Sequence, residues 1–247
     1  MSKPSTRRAL RGLSACAGLA ALALVSACNR PALLLDANAD NLRAARTVAA
    51  AFYEDYGRAA GLRDVPFVTL GFEGGQGYSY DADHNVLFVT PFTHADFDTQ
   101  KIFGRSTQAG QSALVYDDLM FRFFTAHQLM HLVYERLPVA DGSHYEEELR
   151  INTLTTLFLQ ERGLLGGADA ELAKTLTRLE KYLRVRFPSV TDGTATAATL
   201  TVDDNSSYWY VTANSLATAR RRAAIVGTTN NYLASLSGGE ASLSAGH

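Results

Sequence analysis

Between Ser112 and Leu137 the chain runs through a long apolar stretch, with Phe121, Phe123, Phe124, Leu129, Met130, Leu132 and Val133 crowded into its second half. A segment of this length reads as a helix rather than a strand. A helix that is apolar nearly all round must be buried by other elements. Yet this one carries His127 and His131. Polar groups in a buried helix need partners, because leaving one unsatisfied costs about 1–3 kcal/mol. The fold must therefore enclose this segment and supply something for both imidazoles to hold.

The flanking elements follow from periodicity and punctuation. Asn41 to Ala60 reads as a helix, with Leu42, Val48, Ala49, Phe52 and Tyr56 at helical spacing. Pro66 to Phe72, Tyr78 to Tyr80 and Val86 to Thr90 read as strands, the last two joined around Asp83-His84. Asp81, Asp83 and Asn85 mimic the start of a calcium loop, but Val86 and Phe92 stand where its glycine and glutamate belong, so a hairpin turn is expected. Gly74 to Gly77 lacks the strand-loop-helix setting of a phosphate loop. Residues 91–111 read as irregular, with a short helix near Phe97. Further helices are expected over Tyr145 to Arg162, Ala168 to Phe187 and Tyr208 to Leu236, and residues 188–207 as a connector. Strands first and helices after make an α+β fold, with a small antiparallel sheet followed by a helical core.

His127 and His131 are four residues apart, so they project from one helix face and can reach a single metal ion at about 2.0–2.1 Å each. The next helix opens with Glu146, Glu147 and Glu148 and continues to Asn152, which shares a face with Glu148. Acidic residues at a helix start also suit its macrodipole, and that suffices for Glu146. Two readings of the histidines stand: metal ligands, or core side chains satisfied by other polar groups.

Taken together, these two helices resemble the zincin metallopeptidases in their glutamate-ligand, thermolysin-like branch, over roughly residues 78–163. That family carries H-E-x-x-H on one helix and E-x-x-x-D on a later one. The resemblance implies zinc held by His127, His131 and Glu148, with Glu147 the substitute if the register differs. It also implies Asn152 behind a liganding histidine, and Val86 to Thr90 as the strand that pairs with extended peptide or protein in the cleft. Two departures matter. Asn152 replaces an aspartate, and Gln128 replaces the glutamate that serves as general base. An amide cannot take a proton near neutral pH, and general acid–base catalysis is worth about 10²–10⁴-fold. The resemblance thus implies a metal site with little ordinary peptidase activity, unless Glu146, Glu147 or His144 substitutes as base.

The amino terminus carries a different signature. Lys3, Arg7, Arg8 and Arg11 precede a short apolar run from Leu13 to Val25, which ends in Leu24-Val25-Ser26-Ala27-Cys28. The run is too short for a stable transmembrane helix. It resembles the signal peptide and lipobox of bacterial lipoproteins, which implies cleavage after Ala27 and multiple acyl chains on Cys28. Cys16 fits the local pattern too, but it precedes the apolar run. An ordinary secretory signal would leave Cys28 as a lone thiol. Asn29, rather than aspartate, implies the outer membrane of the cell envelope over the inner one.

The expected organisation is a signal peptide at 1–27, a tether at 28–41, one zincin-like domain at 42–236 and a polar tail at 237–247. Loss of the four leading cations moves the net charge from −2 to −6, which offers nothing to nucleic acid. With no cysteine beyond Cys28, disulfides have no role. Tyr208-Trp209-Tyr210 reads as core or as cleft lining, and Arg220 to Arg222 as a solvated face. From another functional class, the same sequence suits an envelope scaffold or partner-binding lipoprotein without metal.

Overall fold

The structure, a computed structural model, describes residues 38–71, 78–139, 142–164 and 205–237, with isolated positions between 174 and 181. The signal segment, Cys28, the glycine turn, the helix expected at 168–187 and residues 238–247 lie outside the described residues. Among those described, no helix is long and apolar enough to cross a membrane.

Helix α1 spans Ala39–Tyr56 and so takes in the last three residues expected of the tether. Leu42, Ala45, Val48, Ala49 and Phe52 form its buried stripe. It ends in a turn at Gly61, whose φ of 69° favours a residue without Cβ.

Three strands follow: β1 Phe67–Leu70, β2 Tyr78–Asp81 and β3 Val86–Val89. Their order is β1-β3-β2. β2 and β3 form the expected antiparallel hairpin, but β1 lies parallel to β3, with Phe67 opposite Val86 and Leu70 opposite Val89. The sheet is therefore mixed, not antiparallel. The reason is apolarity: Val-Leu-Phe-Val belongs between two strands, while the more polar Tyr-Ser-Tyr-Asp suits an edge. At the hairpin, Asp81 accepts from the amides of Asp83 (3.0 Å) and His84 (3.2 Å), and Asn85 takes φ 54°. Asp81 is thereby committed to its own turn.

A 3-10 turn at Phe92–His94 leads to α2, Phe97–Ser106, capped by Asp96, whose carboxylate accepts from the Thr99 amide at 2.9 Å. This ten-residue helix occupies much of the stretch read as irregular. The central apolar segment is helical throughout, but in three parts: α3 Ser112–Asp118, a π-helical stretch Leu119–Phe124, and α4 Thr125–Tyr134. Such insertions are uncommon and concentrate at functional sites. This one ends just before the histidine pair.

Helix α5 spans His144–Glu161 and opens with a reciprocal cap between Ser143 and Glu146. Every residue from Leu149 to Leu159 is buried, which makes α5 the central helix, packed between α4 and α6. Thr153, Thr155 and Thr156 survive there by donating to the carbonyls one turn back at 2.7–2.8 Å. Helix α6 covers Asn205–Val226 and α7 covers Thr229–Ser237. The apolar pattern alone reads as one continuous helix here. Gly227, at φ 85°, breaks it, and Glu161 captures the new start by accepting from the Thr229 amide (2.8 Å) and hydroxyl (2.7 Å).

Candidate metal centre

His127 is wholly buried in α4, ringed by Phe123, Phe124 and Tyr78. His131 lies one turn on and is half-buried. Across from them, α5 presents Glu148 at its second turn. The Nε2 atoms of the two histidines are 3.1 Å apart. Glu148 places Oε2 at 3.5 Å from Nε2 of His127 and Oε1 at 3.7 Å from Nε2 of His131. Among the described residues, these three form the one group of histidine, cysteine or carboxylate side chains able to hold a metal ion.

The spacing tests the fit. Ligands about 2.0–2.1 Å from a tetrahedral ion stand about 3.3–3.4 Å from one another. The 3.1 Å between the two histidines is close to that value, and one atom from each of the three residues can be chosen so that all lie within 4.8 Å of one another, a looser set that a bound ion would draw together. The electrostatics agree. Burial pushes His127 down to about 4, against the opposing pull of its Asn152 hydrogen bond. Burial and the neighbouring His127 push His131 down to about 3. Both imidazoles are thus neutral at ordinary pH, the form that ligates metal, and their approaches to Glu148 are not ion pairs. Burial raises the Glu148 carboxyl, offset in part by His131. A cation there would be stabilised by the Glu148 carboxylate and the His127 Nε2 lone pair, and by His131 once its proton shifts to the other ring nitrogen.

Behind His127, its Nδ1 lies 2.9 Å from Oδ1 of the buried Asn152, one turn beyond Glu148 on the same helix. The resemblance implies a hydrogen bond of this kind for Asn152, behind a metal-bound histidine. Asn152 Nδ2 in turn donates to Ser215 on α6 at 3.0 Å.

Gln128, beside His127 and half-buried, shares a side-chain hydrogen bond with Tyr78. The Tyr78 hydroxyl lies 2.6 Å from that of Tyr208. Burial, together with nearby Glu148, raises both phenols, so both keep their protons, and across the 2.6 Å contact one donates to the other. Tyr208 therefore stands at the site, whereas Trp209 and Tyr210 are core, with the Trp209 indole donating to Thr99 at 3.1 Å. The other acidic candidates are otherwise engaged. The Glu146 carboxylate accepts from the Ser143 amide at 3.0 Å. Glu147 reaches only Nδ1 of His131, at 3.9 Å. His144 is exposed.

One expectation is overturned. Val86 to Thr90 cannot pair with an extended ligand, because β3 is flanked by strands on both sides. The strand beside the site is β2, whose Tyr78 stacks on Phe124 with ring centroids 4.5 Å apart. Its outer edge carries no strand among the described residues.

The sequence pattern did not point to Tyr78 or Ser215 as members of this region. Only Tyr208 had a signal, as one of three clustered aromatic residues. Comparison with known protein families, with curated proteins and with solved structures finds no match for this chain.

Proposed function

We propose that the protein is a lipid-anchored cell-envelope protein with a zinc site of metallopeptidase type, which engages peptide or protein without cutting it efficiently. The observation that carries this reading is the convergence of His127, His131 and Glu148 with Asn152 directly behind His127. Two imidazoles and a carboxylate are a ligand set that suits zinc and leaves one position open. A zinc ion bound there would supply Lewis-acid polarisation of a carbonyl.

The chain's own residues do the rest. His127 and His131 are kept neutral by burial, ready to ligate. Gln128 can orient a polar group through its amide but cannot accept a proton, which removes the general base. The hydrogen-bonded hydroxyls of Tyr78 and Tyr208 lie near enough to Glu148 to feel its charge, and one of their two protons is free to donate. The edge of β2 that no described strand covers would be the place for an extended segment to add main-chain hydrogen bonds. Cys28 would carry the lipid, on the outer membrane in keeping with Asn29.

A second reading has its own support. Both nitrogens of His127 already have protein partners, Asn152 and His131. The pair could thus be satisfied core histidines in a metal-free scaffold. Elemental analysis of the full-length protein in detergent decides between them. About one zinc per chain, lost in His127→Ala and Glu148→Ala, is the expected result. No zinc, and none taken up when supplied, would leave the scaffold.

A further inference from the structure

An asparagine behind a liganding histidine has a problem that an aspartate lacks. Either oxygen of a carboxylate can accept the imidazole N–H. An amide must present its oxygen, since its NH₂ group would favour the wrong tautomer of the ring. In the wrong tautomer Nε2 of His127 carries the proton, and that nitrogen faces His131 and Glu148. Something must therefore hold the Asn152 amide in one orientation.

The structure supplies it in Ser215, a wholly buried residue of α6. Its hydroxyl lies 3.1 Å from the carbonyl oxygen of Thr212, which can only accept, so Ser215 donates there. Its proton spent, Ser215 Oγ can only accept from Asn152, 3.0 Å away, and so selects Nδ2. Oδ1 is left for His127 at 2.9 Å, and accepts from Nδ1–H. Nε2 then keeps its lone pair toward the cluster, and His131 Nε2–H can donate to it across 3.1 Å. Taken together, these contacts favour one orientation of the amide and one tautomer of the ring. The chain runs from a main-chain carbonyl of α6, through α5, to the imidazole of α4.

We propose that Ser215 is a positioning residue of the metal site, orienting the Asn152 amide and thereby setting the Nδ1–H tautomer of His127. Its meaning for metal binding rests on the function proposed above, but the tautomer can be read without metal. An aspartate in place of Asn152 would make the orienting hydroxyl redundant, because both its oxygens accept. Removing Ser215 should therefore matter in the wild-type background and not in the Asn152→Asp background.

The test uses the full-length protein in detergent, labelled with 15N-histidine, as wild type, Ser215→Ala, Asn152→Asp and the double variant. The readouts are the metal-free His127 ring nitrogen shifts and the dissociation constant for zinc. Wild type should show the Nδ1-protonated pattern. Ser215→Ala should lose it in part or wholly and bind zinc about tenfold or more weakly, within the range found for partners of metal ligands. The double variant should match Asn152→Asp in both readouts. If Ser215→Ala keeps the wild-type tautomer, or weakens zinc equally in both backgrounds, the hydroxyl does no more than fill space and the inference falls. If the tautomer responds as expected but no variant binds zinc, the positioning chain stands and the zinc reading falls.

Discussion

The Nδ1 nitrogen of His127 sits 2.9 Å from Oδ1 of Asn152, a side chain only 1 % exposed and four residues beyond Glu148. One helix thus provides both the carboxylate of the candidate metal cluster and the hydrogen-bond partner of His127. Replacing Asn152 by leucine, of similar size, leaves the His127 N–H without an acceptor in an apolar setting. Zinc affinity should fall about 10–100-fold. The metal-free protein should also lose about 1–3 kcal/mol of stability, the cost of an orphaned buried donor. Zinc competition and denaturant unfolding measure the two effects. A variant as stable and as tight-binding as wild type would show that this hydrogen bond orients nothing of consequence.

What was legible in the sequence follows the range of the interactions. Helical spacing placed α1, α5 and the course of the apolar segment to within a few residues, since i, i+3 and i+4 neighbours are local. The i, i+4 spacing of His127 and His131 showed one shared face for the same reason. Strand order was not legible. Alternation fixes which face of β3 is buried but not whether β1 pairs on its free side. The π-helical stretch at Leu119–Phe124 leaves no mark in an almost wholly apolar segment. The apolar pattern ran through the break at Gly227, and the partner that stabilises the new start, Glu161, lies 68 residues from Thr229. Tyr78 and Tyr208, 130 residues apart, meet only in the fold.

The two buried histidines make the metal-free protein acid-labile in a definite window. Their values are lowered from about 6.5 to about 4 and about 3. Below pH 6.5 the unfolded chain binds protons that the folded chain refuses, so stability falls as pH drops. Each histidine costs on the order of 1 kcal/mol per pH unit between its unfolded and folded values. Glu147 and Glu148, whose values are raised, work the other way, favouring the fold once protonated. Unfolding free energies between pH 7 and 4.5 should decline more steeply in wild type than in His127→Gln/His131→Gln. Parallel slopes would mean that the imidazoles are not desolvated as described.

The Glu161 carboxylate accepts both the Thr229 amide, at 2.8 Å, and its hydroxyl, at 2.7 Å. It is a cap for α7 supplied from another helix. Glu161→Ala should cost about 1–2 kcal/mol, at the upper end for a lost cap. Loss should be local, with faster amide exchange over Thr229–Ser237 and unchanged zinc affinity, because the last turn of α5 lies three turns beyond Glu148. Uniformly faster exchange across α4 and α5 would contradict that separation.

In the function proposed here, Gln128 is the residue that would limit cleavage. The proposed site otherwise holds two neutral imidazoles, a carboxylate facing them and a pair of hydrogen-bonded phenols. The missing part is a group able to take a proton and return it to a leaving nitrogen. Gln128→Glu restores that group without changing side-chain length, and Tyr78 can donate to a carboxylate as it now pairs with the amide. General acid–base catalysis contributes about 10²–10⁴-fold, equivalent to about 3–5 kcal/mol of barrier. The zinc-loaded variant should therefore cleave members of a mixed peptide library at least a hundredfold faster than wild type. The gain should vanish when Glu148→Ala is added. Cleavage by wild type at the same rate would mean that another base serves. Zinc bound in Gln128→Glu with no cleavage of any peptide would mean that the cleft was never arranged for hydrolysis.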